Sequence, residues 1–101
     1  MNIATRNSIA SQGFVQIAPD HPDHIVFILM GQDLLTFDSD AIKVSDALGL
    51  KLGQHADGSP LIIIPMTQNE MQLGKLINKG YKLIIAEQEL IIPTRQMAME
   101  L

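Results

Sequence analysis

The sequence predicts a single α/β domain: a mixed β-sheet of about five or six strands covered by two or three helices. Three observations carry this expectation. Short apolar runs at Ile25–Met30, Leu61–Ile64 and Leu83–Ala86 alternate with segments whose apolar residues recur at helical spacing. The first run is continuous and β-branched rather than alternating, as in a strand buried on both faces. At 101 residues, 47% of them hydrophobic, the chain has the length of one domain and the apolar content for one core.

Each element follows from local chemistry. Residues 1–13 are weakly patterned and read as an arm or a short helix. Phe14-Val15-Gln16-Ile17 leads into a turn through Pro19, Asp20, His21 and Pro22. Two prolines three residues apart argue against a regular helix there. The Ile25–Met30 strand is followed by a turn at Gly31-Gln32-Asp33 and a second hairpin strand at Leu34–Phe37. Asp38-Ser39-Asp40 supplies an acidic or hydroxyl N-cap for a helix with Ala41, Val44, Ala47 and Leu48 on one face, stopped by Gly49. Leu50-Lys51-Leu52 alternates like a short strand, Ala56-Asp57-Gly58-Ser59 is a turn, and Pro65 stops the Leu61–Ile64 strand. Thr67-Gln68-Asn69-Glu70 is a capping box, opening a helix with Leu73, Leu76 and Ile77 toward the core and ending at Lys79-Gly80. After the Lys82–Ala86 strand, Leu90-Ile91-Ile92 reads as one more, ended by Pro93. The domain division is therefore an arm at 1–13, a module at 14–93 and a C-terminal tail at 94–101.

Bulk composition restricts the function. Cysteine is absent, so disulfides and thiolate metal sites are excluded. The net charge is −4, and the seven bases (Arg6, Lys43, Lys51, Lys75, Lys79, Lys82 and Arg95) form no run. Duplex binding draws much of its affinity from cations that displace phosphate counterions. Aromatics are confined to Phe14, Phe27, Phe37 and Tyr81, too few for a platform that stacks single strands. Met1–Gln12 has no apolar signal-peptide core, and no apolar run is long enough to span a bilayer. A cytoplasmic location is expected.

No pattern of catalytic residues emerges. His21, Asp23 and His24 offer metal-ligating atoms, yet read as a solvated, Pro-bounded turn without a fourth ligand. Asp33, Asp38 and Asp40 read as turn and helix-start residues rather than an acid/base pair, and Glu87 and Glu89 as a solvated strand end. The serines lack a nucleophile elbow, and Gly49 and Gly53 read as a helix stop and a turn rather than a phosphate loop. No enzyme activity, metal or other cofactor is expected. Met66 reads as core. Ile42 and Met71 fall off the apolar stripes of their helices and are the candidate partner surface, with Met97 and Met99 as further adaptable side chains.

The most informative stretch is Met30-Gly31-Gln32-Asp33-Leu34-Leu35-Thr36-Phe37. It resembles the recognition strip of the MutS mismatch-binding domain, where a Met-Gly-Asp-Phe-Tyr-Glu-Leu-Phe pattern offers an aromatic wedge and a carboxylate to a mispaired base. The likeness covers about residues 14 to 88. It runs through Phe14, Ala18, His21-Pro22, Asp40-Ala41, Ser45, Leu48, Leu50 and Leu52, then Ile64-Pro65-Met66, Lys75–Gly80 and Ala86-Glu87-Gln88. The departures fall where that family meets DNA. Asp33 stands at the Phe position and Leu35 at the Glu position; Leu29 replaces a basic residue, and Gly53-Gln54-His55 a Thr-Lys-Arg.

By resemblance, the DNA-contact candidates are Gln32, Asp33, Leu34 and Leu35. Leu34 is the only nearby wedge, and only if the register slips by one. The implied function is a non-catalytic accessory domain of a DNA-processing protein with mismatch reading lost. The alternative is a protein–protein or homodimerisation module without DNA contact. The expected partners are DNA, bound weakly, a larger DNA-processing protein, or a second copy of the chain; no membrane is expected.

Overall fold

The computed structural model describes residues 2–87. The elements are α1 (Ile3–Ile17), β1 (His24–Met30), β2 (Asp33–Phe37), α2 (Asp38–Leu48), β3 (Gly53–Gln54), β4 (Pro60–Ile64), α3 (Asn69–Asn78) and β5 (Lys82–Glu87). Short 3₁₀ turns at Ala18–Asp20 and Met66–Gln68 follow α1 and precede α3. The five strands form one sheet in the order β3-β4-β2-β1-β5, with β1 and β5 parallel and the other neighbours antiparallel. Five strands and three helices agree with the expected mixed α/β architecture. The expected strand at Leu90–Ile92, the C-terminal tail, and Glu89, Arg95, Met97 and Met99 lie outside the described residues.

Strand alternation divides the core into two layers. Val26, Ile28 and Met30 of β1, Leu35 and Phe37 of β2 and Leu61 of β4 pack against Ala10 and Phe14 of α1. Ile25, Phe27, Leu34, Ile62 and Ile64 face the other way, onto Ala41 and Val44 of α2 and Leu76 of α3. The continuous apolar run of β1 therefore has the meaning expected of it: both faces of the strand are covered.

Several local expectations are corrected. The segment before residue 18 is one continuous helix capped by Asn2, whose side chain accepts the Thr5 N–H at 2.8 Å. Neither Asp38 nor Ser39 caps α2 through its side chain. Asp38 instead takes the left-handed conformation (φ 53), which lets the chain turn directly from strand to helix. The buried Asp40 carboxylate accepts the Val26 N–H at 3.0 Å, a donor in the part of β1 that precedes its pairing with β2. Gly49 does stop α2, in the left-handed region at φ 68.

Leu50–Leu52 is not a strand. Ser45 Oγ donates to the Leu50 carbonyl at 2.7 Å, and the ladder to β4 begins only at Gly53. The capping box is also absent, because Thr67 lies within the 3₁₀ turn and α3 starts after Gln68 without a side-chain cap. Leu73 and Leu76 face the core as expected, but the edges of the inward face differ. Gln72 turns inward while Ile77, expected in the core, is 59% exposed. Met66, also expected in the core, is 51% exposed at the start of the 3₁₀ turn.

The turn at residues 56–59 closes as expected. Asp57 Oδ1 accepts the Ser59 N–H at 2.9 Å and the Ser59 hydroxyl at 2.6 Å, and Gly58 takes φ 87. The Ser59 hydroxyl and then its N–H hold the Asp57 carboxyl below its ordinary value of 3.8. A lowered folded-state value means that this turn contributes stability above the ordinary carboxyl range and loses it as pH falls through the lowered value. In an NMR titration, the Asp57 midpoint is expected below 3.8 and to move back toward it in Ser59→Ala. An unchanged midpoint would remove the hydroxyl as the cause.

Candidate functional site

The hairpin joining β1 and β2 sits at one end of the sheet. Register places the C-terminal end of β1, the start of β2, the end of β4 and the end of β5 together there, through Met30↔Asp33, Leu34↔Ile64 and Leu29↔Glu87. Gly31 makes the turn at φ 64, a conformation that L side chains rarely adopt. Met30 and Phe37 bracket the strip from the buried side. Phe37 packs on Phe14 with ring centroids 5.4 Å apart and on His55 at 5.9 Å.

The four strip residues expected at a DNA surface divide sharply. Leu34 and Leu35 are core side chains, 2% and 0% exposed, on opposite faces of the sheet. Neither side chain reaches the surface, so a DNA contact by either would require it to leave its packed layer. The period-2 pleat of β2 puts Leu34 under α2 and α3 and Leu35 under α1. The slipped wedge would need Leu34 to leave a packed layer. Gln32 is exposed at the tip, and Asp33 is half-buried.

Asp33 is fixed on both carboxylate oxygens. Arg6 Nη1 of α1 donates to Oδ2 at 3.0 Å, and the Met66 N–H donates to Oδ1 at 3.2 Å. The neighbouring Gln32 carbonyl accepts from Asn69 Nδ2 of α3 at 3.0 Å. Two segments far from the tip in sequence, α1 and residues 66–69, thus clasp it. Sequence reasoning missed Arg6, Met66 and Asn69 as clasp residues. Only the opposite charges of Arg6 and Asp33 hinted at it, and no spacing rule relates residues 27 apart.

The tip presents little positive charge. Arg6 is committed to Asp33, while Glu87 at the end of β5 and Glu70 in the first turn of α3 lie toward the same end of the sheet. Lys82 begins β5 at the opposite end, beside His24, and Lys79 closes α3 near it. Between the N-terminal turns of α1 and the tip lies a cleft of about 390 Å³, bounded by Asn2, Ile3, Arg6, Met30 and Gln32.

The other sequence candidates do not assemble into a reaction centre. Asp33 and the Asp38/Asp40 pair lie at opposite ends of β2. His21 and His24 meet edge to face with ring centroids 5.7 Å apart. Among the described residues, no group of three or more His, Asp or Glu side chains is placed to hold a metal ion. No helix among them is long and apolar enough to cross a membrane. Ile42 and Met71 are exposed on the outer sides of α2 and α3.

Comparison with known proteins matches this architecture to one family. The family model described as MutS domain I covers residues 10–97. The chain is 32% identical over 75 residues to the DNA mismatch repair protein MutS of Chlorobium chlorochromatii, an alignment covering 74% of this chain and 9% of that protein. It is 35% identical over 72 residues to the protein of that name from Treponema pallidum, covering 71% and 8%. It is 35% identical over 79 residues to that from Rhizobium meliloti, covering 74% and 9%. The chain therefore spans less than a tenth of the length of these relatives. With the fold, the strip and the matched residues in agreement, the chain belongs to the MutS domain I family.

Proposed function

We propose that this chain is a non-catalytic, DNA-associated accessory module that keeps the MutS domain I scaffold but no longer reads mismatches. The observation that carries this reading is the state of Asp33. At the position where the strip's resemblance implies an aromatic wedge, there is a carboxylate bound on both oxygens. An inserted apolar side chain offsets the cost of unstacking a base step, about a few kcal/mol. Base–aromatic stacking contributes roughly 1–3 kcal/mol per base. A clasped carboxylate supplies neither, and it repels phosphate. The absence of a free cation from the described tip residues further weakens backbone attraction. The printed name of the relatives, DNA mismatch repair protein MutS, makes a DNA-processing context the natural one for the module. In that context it works in the cytoplasm, within or alongside a larger protein.

Titration of the chain against matched and single-mismatch duplexes tests this, read by fluorescence anisotropy at low salt. Midpoints for the two duplexes are expected to agree within about twofold, the loss of stacking having removed the basis for discrimination. Tenfold tighter binding to the mispaired duplex would overturn the reading.

A second reading, a protein-interaction or homodimerisation module without DNA contact, draws on the exposed apolar side chains of Ile42, Met71 and Ile77 on α2 and α3. Sedimentation equilibrium separates it from the first by showing a concentration-dependent dimer.

A further inference from the structure

A second cavity lies at the far end of the sheet from the hairpin tip, where β1 begins. It measures about 390 Å³ and is formed by the end of α1, the turn that follows and the first turns of α2. Its lining has two chemistries. Phe14, Ala18, Pro19 and Pro22 are apolar, whereas Asp38, Asp40 and Lys43 are charged. The rings of His21 and His24, edge to face at 5.7 Å, also line it.

Asp40 is the informative group. Its side chain is only 9% exposed. Oδ2 is spent on the Val26 N–H, but Oδ1 makes no hydrogen bond among the described residues. Oδ1 meets the Lys43 ammonium at 3.9 Å, too long for a hydrogen bond. A carboxylate buried to that extent with one oxygen unbonded favours a further donor. The charged lining is two acids and one base, and around it the exposed Asp20 and Asp23 outnumber Lys82. The acids in the first turn of α2 also offset the positive end of that helix. The cavity therefore favours a cation over an anion. A bare metal ion does not fit, because no three ligating side chains converge among the described residues. The apolar lining suits an aliphatic stem, which long basic side chains bury while the charged head stays on polar groups.

We propose that this cavity binds an arginine or lysine side chain of a partner polypeptide. Asp40 and Asp38 take the guanidinium or ammonium head, and the Phe14–Pro22 lining takes the stem. Lys43 is the internal competitor for Asp40. The site stands at the opposite end of the sheet from the tip, so it holds whether or not the tip reads bases.

NMR titration of the full chain with blocked arginine amide tests this. Saturable shifts are expected at the ring protons of His21 and His24 and the amides of Ser39 and Asp40, with a millimolar midpoint and the Gly31 and Gln32 amides unmoved. Blocked norleucine amide, which keeps the stem without the charge, and inorganic phosphate are expected to give none. Lys43 is half-exposed, so Lys43→Ala keeps the fold. By freeing Asp40 it is expected to tighten blocked arginine about two- to fivefold, the range of a partly exposed ion pair. Asp38→Asn is expected to weaken it by a similar factor, since asparagine accepts the left-handed backbone of that position (φ 53) while losing the charge.

Absence of saturable shifts at these four residues overturns the proposal. So does an equal response to blocked norleucine, which would make the cavity merely apolar. Saturable binding of phosphate, or weaker binding of blocked arginine by Lys43→Ala, is the behaviour of an anion site and overturns it as well.

Discussion

Phe37→Ala is expected to destabilise the chain by about 3–5 kcal/mol, the usual cost of removing a buried aromatic ring. Phe37 is almost wholly buried, ends β2 and is the last residue before α2. Its ring meets Phe14 of α1 and His55 of the loop after β3, so the cavity would open where three segments meet. The tilted Phe14–Phe37 pair adds about 0.5–1.5 kcal/mol to what burial alone provides. Urea denaturation followed by circular dichroism measures the loss. With a slope of about 1–3 kcal/mol per molar urea, the midpoint should fall by at least about 1 M, or folding should fail outright. Phe37→Leu, which keeps most of the apolar volume, is expected to lose less. A shift below about 1 kcal/mol for Phe37→Ala would mean that the ring is not the buried bracket it appears from its packing.

The sheet was legible in the sequence because burial on two faces leaves a mark that a single chain displays. Ile25–Met30 and Leu61–Ile64 are apolar at nearly every position; the first forms a strand with a covered layer on both sides, and the second one buried at Leu61, Ile62 and Ile64 but exposed at Ile63. Gly49 and the Asp57–Ser59 turn were legible for a similar reason: positive φ and an Asx-type bond are local requirements written in adjacent residues. The edges of the inward face of α3 were not legible. Helical spacing allows either Gln72 or Ile77 beside Leu73 and Leu76, and packing against the sheet turns Gln72 inward and leaves Ile77 outward. Asp40 was misread as a helix cap because its true partner, the Val26 N–H, belongs to a strand 14 residues earlier. The clasp on Asp33 was hidden for the same reason, since Arg6 and Met66 approach it from segments 27 and 33 residues away. Sequence comparison with the family's strip flags Asp33 as a departure; only tertiary structure reveals that the departure has become a structural contact.

Leu34→Ala decides what the strip has become, because core and wedge roles predict opposite results. As a core residue, Leu34 packs in the layer formed with Phe27, Ile64, Val44 and Leu76, and it faces Leu29 and Ile64 across the two ladders. Truncation should then cost about 2–5 kcal/mol, with the spread set by how far that layer collapses. Against a domain stability of about 5–15 kcal/mol, this is a large fraction, visible as a lower urea midpoint. Duplex binding, compared under conditions where the variant is still folded, should not change its preference between matched and mispaired DNA. As a solvent-facing wedge, the same substitution would leave stability within about 0.5 kcal/mol of the parent and abolish any preference for a mispaired base. The two roles cannot be held at once in this geometry. A side chain 2% exposed must leave its layer to reach a base, so insertion would have to offset unstacking and also expose apolar surface that the fold now buries. The clasp on the adjacent Asp33 opposes that motion as well, since the Arg6 and Met66 contacts must break before the strand can turn its other face outward. A stable Leu34→Ala variant with lost mismatch preference would therefore overturn both the packing account of the strip and the proposed loss of reading.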